Sequence, residues 1–458
     1  MRDSSTIAAI STPSGTGGIS IIRVSGPDAF DAVGRIFVRP GGKSFSEAPN
    51  FSISYGHIVD RTGAVLDEVL VSKMCAPHTY TTQDVAEINC HGGMAASRSV
   101  LDELLRDERV VPAQPGEFTK RAFLGGRIDL SQAEAVSDII TSSSESFSRI
   151  AASQISGRLR EHLDRVKDSI LDLLSDLEVT IQYPEYDIDE LKDFSLKREL
   201  GIIRRQLSEL SGSYQRGEIY RSGLKTAIVG KPNVGKSMLL NALLRQDKAI
   251  VTDIPGTTRD VVDELIVMDG IPVKIMDTAG IRESSDRVEA IGIERSLKAM
   301  ELSDLVIFVC DGSSPPDSED FSIWEKAAGR QRICVMNKSD RGVCGECASA
   351  FGQEDPVALS ALTGEGLEEL EKRISSFVRG EGDDIAKSII LVNSRHKSLI
   401  DSALRHIDEA SSTLEEGLPA DLISIDILDS WHDLGEITGE TADEDIVDRI
   451  FEKFCLGK

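Results

Sequence analysis

The segment GKPNVGKS, residues 230–237, constrains the fold more than any other part of the sequence. It follows the apolar run KTAIVG and opens the helical stretch SMLLNALL, which is the strand–loop–helix context of a P-loop. In such a loop backbone N–H groups close around phosphates, Lys236 reaches the terminal phosphates, and the Ser237 hydroxyl can bind Mg²⁺. The sequence therefore predicts a nucleotide-binding domain with a parallel α/β sheet.

Further motifs in the expected order indicate that the base is guanine. NKSD, residues 337–340, follows the apolar run RICVM, and its carboxylate can accept paired hydrogen bonds that adenine does not offer. DTAG, residues 277–280, supplies a second carboxylate on the metal side, and Ser360 begins a loop expected to close over the base. The residues predicted to bind GTP in these motifs are Asn233, Val234, Gly235, Lys236, Ser237, Met238, Asp277, Thr278, Ala279, Gly280, Asn337, Lys338, Asp340, Ser360 and Ala361.

The segment TDIPGTTRD, residues 252–260, lies between the P-loop and DTAG and is predicted to be a switch loop. Ile281 follows DTAG where small GTPases often carry a water-orienting Gln, so hydrolysis needs another source of assistance. Asn233 offers a carbonyl oxygen to a monovalent cation beside the phosphates, and the alternative is that it is an ordinary turn residue. Thr258 is expected to complete the Mg²⁺ shell that Ser237 begins. The switch residues predicted to contact GTP are Thr252, Asp253, Ile254, Pro255, Gly256, Thr257 and Thr258.

The rest of the sequence divides by its apolar patterns. Residues 1–118 hold short β-branched runs and predict a small mixed α/β domain with a helix near 94–106. Ser131 is predicted to cap a helix through SQAE, and the apolar residues between Leu159 and Leu177 recur at helical spacing. The predicted fold class is multidomain α/β and all-α. Its parts are an α/β domain (1–118), a helical domain in two halves (119–220 and 381–458) and an inserted Ras-like P-loop G domain (221–380).

Composition limits the partners and the compartment. The net charge of −26 argues against a nucleic-acid partner, but almost half of the acidic excess lies in residues 381–458. A basic face on residues 1–220 therefore stays open, although no Lys/Arg run marks one. There is no run of about 18 apolar residues, so no membrane span is expected. Seven cysteines at irregular spacing are typical of a reducing compartment, which predicts a cytoplasmic protein. Cys344 and Cys347 form a lone CxxC, a weak signal for a metal site without a second pair.

The segment FCLGK, residues 454–458, raises the question of what its thiol does. Prenylation does not fit, because Gly457 and Lys458 follow Cys455 where an aliphatic residue and a permitted last residue are needed. Two interpretations remain from the residues alone. Cys455 is either a spare buried cysteine or a reactive group delivered to another part of the protein.

Several long motifs, together with the GTP-binding motifs, resemble the MnmE or TrmE family of tRNA-modification GTPases over the whole chain. The resemblance implies that residues 1–118 form a tetrahydrofolate-binding fold that dimerises, and that the G domain is a potassium-stimulated GTPase working through G-domain dimerisation. It also implies action with the FAD-dependent protein MnmG to add an aminomethyl-type group to carbon 5 of the wobble uridine of certain tRNAs. The motifs are TIAAISTPSGTGGISIIRVSGP, TYTTQDVAEINCHGG, PGEFTKRAFLGGRIDLSQAEAVSDII and DRIFEKFCLGK.

The same resemblance implies roles for individual residues. Cys455 would be a thiol close to the one-carbon unit, with either a reactive or a positioning role. Glu289 matches the catalytic acid of the family, although the sequence alone would make it a solvated helix charge. Four residues match the contacts to a reduced folate, 5-formyl- or methylene-tetrahydrofolate: Arg23, Glu87, Arg127 and Lys458. Four match the potassium site: Asn233, Thr252, Ile254 and Thr257.

Simpler interpretations stand beside these assignments. Arg23 ends a predicted strand and could be a surface charge, while Glu87 alternates with apolar neighbours and could face water. A rival function is a ribosome-assembly or RNA-binding GTPase, but such proteins usually carry a basic RNA-binding module and residues 381–458 are acidic. Another is a folate enzyme for a small molecule with the GTPase as its regulator. No residue pattern names tRNA, so that expectation rests on the resemblance alone.

Overall fold

The structure, a computed structural model, describes residues 5–182, 190–246, 264–276, 298–351, 355–379, 388–455 and 457. Its strands are β1 (Thr6–Ile10), β2 (Ile19–Ser25), β3 (Phe37–Val38), β4 (Ser52–Val59), β5 (Val65–Met74), β6 (Val85–His91), β7 (Val110–Pro112), β8 (Leu224–Val229), β9 (Glu264–Met268), β10 (Ile271–Ile275), β11 (Leu305–Asp311), β12 (Arg332–Asn337) and β13 (Val357–Ala358). Its α-helices are α1 (Ala29–Ile36), α2 (Met94–Leu104), α3 (Glu117–Leu124), α4 (Leu130–Thr141), α5 (Glu145–Ile155), α6 (Arg158–Gln182), α7 (Glu190–Gly212), α8 (Tyr214–Ser222), α9 (Lys236–Gln246), α10 (Ser318–Lys326), α11 (Gly345–Phe351), α12 (Leu367–Arg379), α13 (Ser394–Glu415), α14 (Ala420–Thr438) and α15 (Glu444–Phe451).

These elements form two compact units. Unit 1 contains Met1–Asp138, Gln154–Asp168 and Trp431–Lys458, and unit 2 contains Ile139–Ser153 and Ser169–Ser430. The predicted combination of an α/β domain, helical segments and a P-loop α/β domain is confirmed by the elements in each unit. The predicted boundaries at residues 118, 220 and 380 stay predictions.

Unit 1 is built on a seven-stranded sheet in the order β3-β4-β5-β6-β2-β1-β7. Only the pair of β1 with β7 is parallel. Side chains alternate between the two faces along each strand, so Ile22 and Val24 of β2 pack with α1 and α2 in one buried cluster. Arg23, which lies between them in sequence, points to the opposite face. There Ile7 and Ala9 of β1 pack on Phe118 of α3.

The helix predicted near 94–106 is α2. The helix predicted from the apolar residues between Leu159 and Leu177 is α6, and these apolar residues are buried. They are Leu159, Leu163, Val166, Ile170, Leu173 and Leu177. Leu422, Ile425 and Leu428 also recur at helical spacing, and they lie on the exposed side of α14. The buried positions of that helix include Ile423 and Ile427 instead.

The prediction that Ser131 caps a helix is wrong. Helix α4 begins at Leu130, and Asp129 accepts hydrogen bonds from the Gln132 amide at 2.8 Å and the Ser131 hydroxyl at 2.7 Å. The Gln132 side chain in turn accepts a 2.9 Å hydrogen bond from the Asp129 amide. The capping box is therefore Asp129 with Gln132, two residues earlier than predicted.

Unit 2 contains a six-stranded sheet in the order β13-β12-β11-β8-β10-β9. All neighbours are parallel except β9 and β10. Because β8, β11 and β12 are adjacent and parallel, the loops after Val229, Asp311 and Asn337 meet at the carboxyl edge of the sheet, where open α/β sheets bind ligands.

Candidate functional site

The P-loop follows β8, and its backbone requires glycine at two positions. Gly230 has φ +150°, and a Cβ there would lie 2.1 Å from the Val309 carbonyl oxygen. Gly235 has φ +100°, and a Cβ there would lie 2.2 Å from the Asn337 amide nitrogen. A side chain at either position would push the P-loop away from β11 or from the NKSD segment. The two glycines therefore allow the P-loop backbone to lie close to both.

Lys236, the first residue of α9, is held in a defined place. Its Nζ donates hydrogen bonds to the carbonyl oxygens of Gly230 and Lys231, both at 2.7 Å. Burial lowers its pKa from the ordinary lysine value, so an anion in the loop would stabilise its charged form. Ser237 follows at the helix N-terminus, where backbone N–H groups favour phosphate oxygens.

The other predicted P-loop residues differ in their exposure. Val234 is buried, whereas Met238 and Asn233 are exposed. Asn233 has φ +63°, a left-handed conformation that Asn tolerates better than most residues. This backbone agrees with the turn interpretation of Asn233 and leaves its carbonyl oxygen available to a cation.

On the base side, Asn337 links two loops. Its amide nitrogen donates to the Val234 carbonyl oxygen at 2.8 Å, and its side-chain oxygen accepts from the Ala361 amide at 3.0 Å. The buried Ser360 hydroxyl donates to the exposed Asp340 carboxylate at 2.6 Å, which orients the carboxylate predicted to accept the guanine hydrogen bonds. The structure thus brings the P-loop, NKSD and the Ser360–Ala361 loop together.

Lys338 of NKSD is also anchored. Its backbone is left-handed at φ +66°, and its Nζ lies 2.6 Å from the Asp311 carboxylate at the end of β11. Asp311 was not predicted to belong to the site, and neither was Lys231, which pairs with carboxylates after β11. Both contacts join residues far apart in sequence, so no local pattern indicates them.

The remaining predicted residues of the nucleotide site lie outside the described residues. They are Thr252, Asp253, Ile254, Pro255, Gly256, Thr257, Thr258, Asp277, Thr278, Ala279, Gly280 and Glu289. Within the described ranges, no group of three or more His, Cys, Asp or Glu side chains could hold a metal ion. The predicted Mg²⁺ and K⁺ ligand sets are represented there by Ser237 and Asn233 alone.

In unit 1, Arg23 and Glu87 form a pair on the face of the sheet opposite α1 and α2. They are directly opposite each other on β2 and β6, and the Arg23 Nε donates to the Glu87 carboxylate at 2.9 Å. The guanidinium carbon lies 5.2 Å from the ring centre of Tyr80 and 5.6 Å from that of Phe118. The buried Nη1 of Arg23 has no hydrogen-bond partner among the described residues. A buried donor without an acceptor lowers the stability of the folded protein, and a ligand that accepts a hydrogen bond from it would remove this cost.

Tyr80 brings the third predicted residue into this group. The Arg127 guanidinium stacks on the Tyr80 ring at 4.8 Å and donates to the Tyr80 carbonyl oxygen at 2.9 Å. The Tyr80 hydroxyl lies 2.9 Å from that of Thr119 on α3. Sequence reasoning missed Tyr80, because an aromatic residue five positions before a strand carries no signal beyond its size. The structure therefore places Arg23 and Arg127 at one ring, with Glu87 paired to Arg23.

Cys455 and Gly457 lie beside the same part of unit 1. The Cys455 carbonyl oxygen accepts from the Gly116 amide at 3.4 Å, and the Gly457 carbonyl oxygen accepts from the Ser11 hydroxyl at 2.9 Å. Gly457 has φ +87°, and a Cβ there would lie 2.4 Å from the Ile10 carbonyl oxygen. Cys455 is exposed, so the interpretation as a spare buried cysteine is wrong. Lys458 lies outside the described residues.

Comparison with known proteins decides the family. A profile described as "MnmE helical domain" matches residues 130–455, and one described as "GTP-binding protein TrmE N-terminus" matches residues 6–127. The tRNA modification GTPase MnmE of Acetivibrio thermocellus is 47% identical over 463 residues, which cover 100% of both chains. The chain belongs to the MnmE family of tRNA modification GTPases. The MnmE protein of Carboxydothermus hydrogenoformans is 46% identical over 458 residues, 99% of each chain.

Membership of the MnmE family confirms that the nucleotide site belongs to a GTPase. A crystal structure of Era from Aquifex aeolicus bound to GDP and AlF4⁻ is 28% identical, covering 40% of this chain and 65% of that chain with a TM-score of 0.27. No helix in the described residues is long and apolar enough to span a bilayer.

Proposed function

We propose that this GTPase takes part in adding an aminomethyl or carboxymethylaminomethyl group to carbon 5 of the wobble uridine of certain tRNAs. The substrate would be tRNA, the one-carbon donor a reduced folate, and the partner an FAD-dependent protein of the MnmG type, in a heterotetramer. The tRNA substrate is supported by the relatives, which are tRNA modification GTPases. The observation that carries the folate part is the buried Nη1 of Arg23, which has no hydrogen-bond partner among the described residues and lies beside the rings of Tyr80 and Phe118.

The residues around Arg23 fit a folate in chemical type. The Arg23 Nη1 offers a hydrogen-bond donor, the Glu87 carboxylate offers acceptors, and the rings of Tyr80 and Phe118 offer a flat apolar surface. Arg127 and Lys458 would bind the remaining acidic part of the ligand. A bound reduced folate would supply the one-carbon unit. The exposed thiol of Cys455 would face the ligand, because its backbone is attached to Gly116, two residues before Phe118.

Folate binding is tested by titrating the full-length protein with 5-formyl-tetrahydrofolate in a calorimeter. The Arg23→Met variant, which keeps the length of the side chain, should bind at least about 10-fold more weakly, because a charged hydrogen bond contributes about 1.5–3 kcal/mol. Arg98→Met is the matched control, since Arg98 lies on α2 and pairs only with the exposed Asp102. Equal affinity of Arg23→Met and the parent protein would refute the assignment.

The role of Cys455 needs a separate measurement. Cys455→Ser should retain folate binding, since the thiol is exposed and the attachment to Gly116 uses the backbone. Modification of tRNA in the presence of the partner protein should then be lost if the thiol reacts with the one-carbon unit. Full modification by Cys455→Ser would leave Cys455 a positioning residue at most.

On the nucleotide side, we assign Mg²⁺ to Ser237 and Thr258 and K⁺ to Asn233, Thr252, Ile254 and Thr257, with Glu289 as the catalytic acid. The cations would offset negative charge on the phosphates, the task that an arginine finger performs in other GTPases. GTP turnover in potassium should exceed that in sodium, and Asn233→Ala should remove the difference. Asn89→Ala, on the sheet of unit 1, is the control. Equal rates of the parent protein in the two salts would overturn the potassium site.

We also propose that the protein is a homodimer through the sheet of unit 1. The face that carries Arg23 exposes apolar side chains on strands β2, β4 and β5. These are Ile19, Ile53, Tyr55 and Leu70, with exposed fractions of 65%, 67%, 47% and 46%. Exposed apolar side chains gathered on one face of a sheet are typical of an interface. Ile53→Glu should shift the sedimenting species towards the monomer, whereas Val111→Glu on the far edge strand β7 should not. An unchanged dimer in Ile53→Glu would contradict this interface.

A further inference from the structure

The second residue of the P-loop makes an unusually specific contact. The Nζ of Lys231 lies 2.7 Å from the Asp317 carboxylate and 2.7 Å from the Asp320 carboxylate. The Asp320 side chain is only 3% exposed and that of Lys231 19%, so this is not a solvent-exposed surface pair. A partly buried cation between two carboxylates holds its position more firmly than a surface pair, because water screens it less.

The two carboxylates are themselves fixed by the start of α10. Asp317 is the N-cap and accepts from the amides of Glu319 at 3.0 Å and Asp320 at 3.3 Å. The Asp320 carboxylate in turn accepts from the Asp317 amide at 3.1 Å, which completes a capping box. The oxygen atoms that meet Lys231 therefore belong to a structured turn. Burial lowers the pKa of Lys231, but its hydrogen bonds to Asp317 and Asp320 outweigh this and the net shift is upward.

The backbone of Lys231 connects this contact to the catalytic lysine of the loop. The Lys231 carbonyl oxygen accepts one of the two hydrogen bonds donated by the Nζ of Lys236. A shift of Lys231 would therefore move an atom that positions Lys236. The other end of the same β11–α10 segment carries Asp311, which pairs with Lys338 on the guanine side. One short segment, residues 311–320, thus anchors a lysine from each side of the nucleotide site.

We propose that Lys231, Asp317 and Asp320 form a clamp that positions the phosphate loop on α10 and so sets the rate of GTP hydrolysis. Lys231 is a positioning residue, since it acts through its own backbone carbonyl on Lys236. The clamp requires a cation that reaches both carboxylates, and Arg supplies one with a planar fork in place of the compact ammonium of Lys. Without the cation, two carboxylates would stand uncompensated near the bound phosphates, and one of them is almost fully buried.

The test measures GTP turnover of the full-length protein over a range of GTP concentrations, so that kcat and KM are obtained separately. Lys231→Met should lower kcat by about 10-fold or more, since small displacements of positioning groups have effects of this order or larger. Lys231→Arg should remain within about 3-fold of the parent, because it restores the pairing. Asp317→Asn keeps the cap but removes one charge, and should lower kcat less than Lys231→Met does.

A double variant separates the clamp from two independent effects. If Lys231 and Asp317 act as one unit, the loss in Lys231→Met with Asp317→Asn should be smaller than the product of the two single losses. Arg373→Met is the matched control, because it removes a cation of the same unit that pairs with Asp355 and Glu369 away from the P-loop. Thermal unfolding with and without GDP verifies that each variant is folded.

Three results would overturn the proposal. The first is a kcat of Lys231→Met within about 2-fold of the parent in a folded protein, which is the range of ordinary surface substitutions. The second is a loss no greater than that of Arg373→Met. The third is a sign that Lys231 acts without the carboxylates. Either a low kcat in Lys231→Arg or a loss of kcat in the double variant equal to the product of the two single losses would give that sign.

Discussion

Replacing Asn337 by Ala tests whether one buried side chain joins the phosphate loop to the guanine loop. Asn337 is 2% exposed and makes two hydrogen bonds, to the Val234 carbonyl oxygen and from the Ala361 amide. The substitution would leave both backbone groups without their partner. An unsatisfied buried group costs about 1–3 kcal/mol, so the free energy of unfolding should fall by about 2–6 kcal/mol.

The assay is calorimetric unfolding of the full-length protein with and without GDP. Bound GDP raises the melting temperature of the unit that contains the nucleotide site, so the transition that shifts with GDP is the one to follow. For a folding unit of this size, each kcal/mol lowers Tm by about 2–4 °C, so that transition should fall by at least about 4 °C. GDP should also bind more weakly. Ser349→Ala, which removes a hydroxyl from the exposed side of α11, is the control. A decrease in the Tm of Asn337→Ala no larger than that of Ser349→Ala would refute the reasoning.

Three further predictions concern other parts of the chain. Gly230→Ala should abolish nucleotide binding, because its Cβ would meet the Val309 carbonyl oxygen, whereas Gly345→Ala has open space and should be neutral by GDP titration. An alkylating reagent should label Cys455 under native conditions and Cys90 only on unfolding, since Cys455 is exposed and burial raises the pKa of Cys90 to about 11. Mass spectrometry of the labelled peptides measures the order, and labelling of Cys90 before Cys455 would contradict the prediction. The His91 imidazole is hydrogen-bonded to Asp67, which raises its pKa. The hydrogen bond therefore stabilises the folded protein fully below the pKa of His91 in the unfolded chain, about 6.5, and this stabilisation is lost as the pH rises through the pKa of His91 in the folded protein. By NMR titration, Asp67→Asn should return the midpoint to about 6.5, and an unchanged midpoint would contradict the assignment.

The nucleotide site was largely predictable because its chemistry is encoded locally. Gly230, Lys236 and Ser237 lie within eight consecutive residues, and the strand before them and the helix after them follow from the apolar pattern. The order of motifs along a parallel sheet then places NKSD beside the P-loop. The contact of Lys231 with Asp317 was not predictable, since it joins residues 86 positions apart through the start of a helix.

Two cases show what pattern reasoning leaves undecided. Both Ser131 and Asp129 are good capping residues, and only the hydrogen bonds show that Asp129 caps α4. On α14, two sets of apolar residues recur at helical spacing, and periodicity alone cannot say which set is buried. In unit 1, Arg23 and Glu87 are 64 positions apart and meet only because of the register of β2 and β6. The resemblance supplied these residues before any physical argument could.

The hydrogen bond between Ser11 and Gly457 has a consequence for synthesis of the protein. The two residues are 446 positions apart, so the ribosome completes the first strands long before it makes their partner. Domains generally fold from the N-terminus while the chain is still being made. Here the Ser11 hydroxyl gains its acceptor only after Gly457 has been made. A chain released just before that residue would contain the P-loop and the NKSD segment but would lack this hydrogen bond in unit 1.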